Sequence, residues 1–158
     1  MIDALRKFVR NFAAPGPKRH FGDDDQRLAL ATLLVHCMAV DGNVSETERA
    51  KLRDMLGRTF GLTGNDLQGL IDDAIVAEQE AVDLYRFTSV LKRQMSEAER
   101  IRVVENLWEI VFADGRSHEF EENLVWRISE LLAVNRHDRI ASKREASENK
   151  LAGEGDSG

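Results

Sequence analysis

Cysteine is nearly absent: Cys37 is the single one in 158 residues. One chain can therefore form neither an internal disulfide nor a thiolate zinc site, and a reducing, cytoplasmic setting is expected. Proline occurs twice and aromatics make up 6% of the chain, which disfavours a turn-rich sandwich or barrel. Long apolar runs are missing too. The longest, Leu28–Val40, is interrupted by Thr32 and His36 and falls short of the roughly 18 residues a membrane-spanning helix needs. No apolar stretch with a small-residue cleavage site follows the N-terminus, so no secretory leader is expected. Phosphate-cradling glycine loops, nucleophile elbows and HExxH zinc motifs do not occur. None of His20, His36, His118 and His137 follows an acid by three residues, as a di-iron bundle requires. Neither enzymatic activity nor an organic cofactor is expected.

What is present is charge, unevenly spread. The net charge is −6, but residues 1–20 hold five basic groups and one acid, so the remaining 138 residues carry −10. A strongly acidic body excludes nucleic acid as a partner, since phosphates need a basic footprint. It suits cations or basic proteins. Residues 2–14 place Ile2, Leu5, Phe8, Val9 and Phe12 on one helical face, with Arg6, Lys7 and Arg10 elsewhere, and Pro15-Gly-Pro17 ends the pattern. Such a segment fits docking on the core or a partner, or a peripheral contact with an anionic membrane.

The chain writes one stretch twice. Ala39-Val-Asp-Gly-Asn-Val-Ser-Glu-Thr-Glu48 returns as Ala113-Asp-Gly-Arg-Ser-His-Glu-Phe-Glu121. Asp41 aligns with Asp114, Gly42 with Gly115, Glu46 with Glu119 and Glu48 with Glu121, at an offset of 73. Leu28–Ala39 aligns with Ile101–Phe112 at the same offset, and Phe60–Thr63 aligns with Leu132–Asn135 after a one-residue slip. A shared offset over consecutive segments points to an internal duplication of one helix–turn–helix–turn–helix unit. Apolar spacing and caps predict helices over about 25–40, 46–60, 83–93, 97–112 and 119–133, and further ones starting at Thr63 and Asn135. The helix over 25–40 is apolar nearly all round and should be central. No segment alternates with period two. The expected fold is a single all-α domain of about seven helices with pseudo-two-fold halves. Residues 1–22 form the N-terminal helix and linker, 23–142 the domain, and 143–158 a polar tail too poor in apolar residues to pack.

Each repeated turn can bring acids together. Gly42 and Gly115 can end one helix in the left-handed conformation, and Ser45 with Glu48 forms a capping box for the next. Asp41 and Glu48 stand at opposite ends of one tight connection, as do Asp114 and Glu121. If the two connections approach each other, four carboxylates share one region and repel unless a cation intervenes. Oxygen donors without thiolates favour calcium, magnesium or manganese. The alternative is that these are plain helix connections whose acids complement helix dipoles. An EF-hand is excluded, because Glu46 stands where its glycine belongs and Leu52 where its bidentate glutamate belongs. His36 is expected to be a hydrogen-bonded core residue whose duplicate is Glu109. Cys37 is expected to be a buried thiol, and Trp108 and Trp126 core or interface aromatics rather than a ligand box.

The paired turns within an all-helical frame resemble the TerB tellurite-resistance family over roughly residues 24–145, most closely along Phe112–Leu132. The resemblance implies a fold of about seven helices with an acidic cation-binding face, carried onto Asp41, Glu48, Asp114 and Glu121. It also implies a part in bacterial responses to tellurite and other chemical stress, in protein complexes near the inner membrane. Related domains occur in membrane-anchored DnaJ-type co-chaperones, so a metal-free adapter is the alternative. Arg116 and His118 replace Asn43 and Ser45 in the second loop, which makes the second site the weaker one.

Overall fold

Seven helices account for most of the described residues, which are 21–22, 24–39, 45–80, 83–113 and 119–156 of a computed structural model. The basic segment over residues 2–14 lies outside them, as do Asp41, Asp114 and His118. Among the described residues there is no strand. The helices are α1 (Gln26–Ala39), α2 (Glu46–Phe60), α3 (Gly64–Glu80), α4 (Leu84–Gln94), α5 (Glu97–Phe112), α6 (Glu119–Leu131) and α7 (Arg136–Asp156). The bounds keep the sequence offset. α1 and α5 end 73 residues apart, α2 and α6 start 73 apart, and α3 and α7 start 72 apart, after the slip.

α1 is the axis of the bundle. It begins where the Asp25 carboxylate accepts the Arg27 N–H at 2.8 Å, and every residue from Leu28 to Val35 is buried. Burial all round means neighbours all round: α1 packs on α2, α3, α4, α5 and α6. The one hydroxyl in that run, Thr32, donates to the Leu28 carbonyl at 2.7 Å. The apolar packing thus leaves no polar atom of Thr32 stranded.

The flanking helices follow their caps. Ser45 and Ser96 each accept the N–H of the glutamate three residues on, while Glu48 and Glu99 bond back to the serine N–H. Asp83 caps α4 through the Arg86 N–H. α2 ends at Gly61 with φ 65°, and the Leu62 N–H reaches the Gly57 carbonyl. The aligned end of α6 uses Ala133 at φ 58°, with the Val134 N–H bonded to the Ser129 carbonyl and the Ala133 N–H to Glu130. Both are left-handed helix terminations that satisfy the last carbonyls. In addition, the Arg100 guanidinium donates to the Leu132 carbonyl at 2.7 Å.

Ile75 follows Leu67, Leu70, Ile71 and Ala74 at helical spacing, but it is 39% exposed. The buried stripe of α3 runs through Leu67, Leu70, Ile71, Ala74 and Ala77, and Ile75 is one residue, about 100°, past Ala74 on a 3.6-residue helix. The tail expected from residue 143 is instead helical as far as Asp156, and Ser142 and Ala146 are buried. These small side chains let α7 lie closely along α5, so packing continues without large apolar residues. None of the described helices is long and apolar enough to cross a membrane.

Candidate functional site

Glu48 and Glu121 are each the third residue of their helix, and each is only 3% exposed. A carboxylate is seldom buried without compensation, because removing its charge from water is costly. For Glu48 part of the compensation is visible. Its Oε1 accepts the Ser45 N–H at 3.2 Å while its own N–H donates to Ser45 Oγ at 3.1 Å. A position in the first turn also sets each carboxylate against the positive end of a helix dipole.

The two carboxylates belong to one end of the bundle. Glu121 lies near Cys37, in the last turn of α1: burial raises the thiol's pKa, and the charge of Glu121 raises it further. Near the start of α2, Lys51 Nζ stands 3.7 Å from Glu109 Oε2, close to the end of α5. α2 therefore begins beside the end of α5, and α6 beside the end of α1. The sequence spacing had pointed first to pairs within a copy, Asp41 with Glu48 and Asp114 with Glu121. Asp41 and Asp114 lie outside the described residues, and among the described residues no group of three or more His, Cys, Asp or Glu could hold a metal ion.

Cys37 is buried and its thiolate is opposed by both burial and Glu121, which leaves carboxylate oxygens at this end. Oxygen donors select calcium, magnesium or manganese over softer ions.

The other singled-out residues fall into place by packing. His36 is half-buried, not core, and its Nδ1 lies 3.4 Å from Glu78 Oε1. The position is polar in both copies, since Glu109 answers it with Lys51. Trp108 is fully buried, stacks on Phe112 at 5.7 Å and meets Trp126 edge-on at 5.2 Å. Lys143 of α7 covers both indoles and pairs with Glu122 at 3.2 Å. That cluster ties α7 to α5 and α6.

One feature was missed in the sequence. Arg102, Glu105, Asn106 and Glu109, a polar stripe on α5, line a cleft of about 500 Å3 against α1 and α2. The stripe was the only signal, and a polar stripe by itself reads as a solvated face.

Residues 27–144 match the family model described as tellurite resistance protein TerB. No curated protein and no solved structure matches the chain. The matched span runs from α1 into the first nine residues of α7 and takes in both repeated turns and both buried glutamates, and the chain belongs to the TerB tellurite-resistance family.

Proposed function

We propose that this TerB-family chain is a non-enzymatic module of a bacterial response to tellurite or other chemical stress, and that it binds a divalent cation. The ligands would be Asp41, Glu48, Asp114 and Glu121, with calcium, magnesium or manganese as the ion. One observation carries the reading: two aligned glutamates, each 3% exposed, start helices at the same end of the bundle. Carboxylates so placed gain from a positive charge between them. Each aspartate precedes its glutamate by seven residues, so both belong to connections that open onto that end.

Thermal unfolding of the chelator-treated chain, with each cation added in turn, tests this. Binding to the native state raises the midpoint by mass action. The rise should be absent in Asp41→Asn/Asp114→Asn. If no cation raises the wild-type midpoint, the metal reading fails.

A second reading is supported by the Ser45 capping box, which gives Glu48 a structural task that needs no ion. On that reading the chain is a metal-free adapter of the co-chaperone type, cytoplasmic or peripheral at the inner membrane, presenting its acidic body to protein partners. Partner binding would then persist in chelator.

A further inference from the structure

The turn between α6 and α7 carries strain that its aligned turn avoids. Ala133 takes φ 58°, a left-handed conformation that its Cβ disfavours, and among the described residues it is the one non-glycine with positive φ. In the first copy the same position is Gly61, with Gly64 three residues on. The second copy has no such breaker, since residues 116–152 contain neither glycine nor proline. Alanine is the strongest helix former, so the sequence is compatible with α6 running straight into α7. What holds the turn closed is local. The Asn135 side chain accepts the Asp138 N–H at 2.8 Å and donates to Asp138 Oδ2 at 2.7 Å. Val134 is buried, and Arg100 holds the Leu132 carbonyl.

Beyond the turn, α7 is held by small and polar side chains. Against α5 it buries Ser142 and Ala146, while Ile140 is 44% exposed. Lys143 Nζ lies 5.2 Å from the centre of the Trp108 ring and 5.9 Å from that of Trp126, and it pairs with Glu122. Arg139 reaches Glu130 at 3.3 Å. Each of these contacts can be made just as well by α7 of a second copy, which is the condition for exchanging an element between identical chains.

We infer that α7 exchanges between two copies of this chain, with Ala133 as the hinge. In the exchanged pair Ala133 relaxes into the right-handed region and α6 and α7 form one continuous helix. Each copy's Lys143 then rests over the partner's Trp108 and Trp126. The contacts of α7 are unchanged, so the balance lies in the turn and in the concentration. Strain released at two hinges favours the exchanged pair. The Asn135 cap, the burial of Val134 and the entropy of association favour the closed chain. None of Asp41, Glu48, Asp114 and Glu121 belongs to the turn or to α7, so the exchange does not depend on the metal reading.

An equal mixture of 14N and 15N full-length chains, warmed at high concentration and cooled, tests it. Size-exclusion chromatography with light scattering separates monomer from dimer, and carbodiimide then joins Lys143 to Glu122 in each fraction. The dimer should give that linked peptide in mixed-isotope form for about half of the product, as random pairing of exchanged copies requires. The monomer should give it unmixed. Ala133→Gly keeps the closed turn and removes its strain, so it should lower the dimer fraction about tenfold or more. Asn135→Ala takes the cap from the closed turn and should raise it. A chain that stays monomeric, a dimer whose Lys143–Glu122 peptide is unmixed, or a dimer fraction that Ala133→Gly leaves unchanged overturns the inference.

Discussion

The charge of Glu121, in the first turn of α6, acts on the thiol of Cys37 in the last turn of α1, 84 positions earlier in the chain. With Lys51 and Glu109 meeting at 3.7 Å on the other side, the two sequence copies exchange neighbours at one end of the bundle. Asp41 follows Cys37 by four residues in the sequence.

That relationship gives the first prediction. In calcium titrations by calorimetry, the double-mutant cycle Asp41→Asn with Glu121→Gln should show a larger coupling energy than Asp41→Asn with Glu48→Gln. Residues sharing a site are non-additive, whereas separated ones add. Equal couplings would return the pairing to within each copy.

The capping boxes should differ in worth. Ser45→Ala removes the acceptor for the Glu48 N–H in a half-buried turn, whereas Ser96→Ala opens an exposed one that water can serve. Loss of an N-cap costs about 0.5–2 kcal/mol. Urea unfolding should put Ser45→Ala near the upper end and Ser96→Ala near the lower, because an orphaned buried donor is the more costly.

The two left-handed helix ends predict substitutions of opposite sign. Ala133 adopts φ 58° with a Cβ that this conformation disfavours, and Gly61 adopts φ 65° without one. Ala133→Gly should stabilise the chain by about 1 kcal/mol and Gly61→Ala should destabilise it by a similar amount. Nothing lies within 4 Å of a Cβ built on Gly61, so the cost there is conformational and not steric. Midpoints in urea at constant slope would measure both.

Stability should also depend on pH through Glu105. Its pKa is raised first by burial and then by the charge of Glu145, with Arg102 opposing and Glu109 adding to the rise. A carboxyl whose folded pKa lies above its unfolded value binds its proton more tightly when folded. The stabilising contribution is therefore full below the unfolded value, roughly pH 4.3, and is lost as pH rises through the folded value. Glu145→Gln should raise the thermal midpoint at pH 7, and the gap from wild type should shrink as pH falls towards about 4. A gap unchanged across that range would remove Glu145 as a cause.

Local features were legible without a structure. The starts of α2 and α5 follow from Ser-x-x-Glu, the break after α2 from Gly61, and the burial of α1 from its unbroken apolar composition. These depend on interactions within a few residues, which sequence spacing encodes directly. The matching endpoints of α1 and α5, and starts of α2 and α6, were visible as the offset of 73. Features that depend on which surfaces meet were not legible. Ile75 reads like its neighbours until the direction of α3 relative to α1 is known. Ser142 and Ala146 look unable to pack until α5 is laid against them, since close approach rewards small side chains. The stripe of Arg102, Glu105 and Glu109 becomes a cleft wall only once α1 and α2 stand opposite it. Composition and periodicity alone determined an all-α chain with two aligned glutamates at helix starts, whose burial only the packing shows. Tertiary packing decided which neighbours those glutamates have, because side chains far apart in sequence meet only when whole helix faces are buried together.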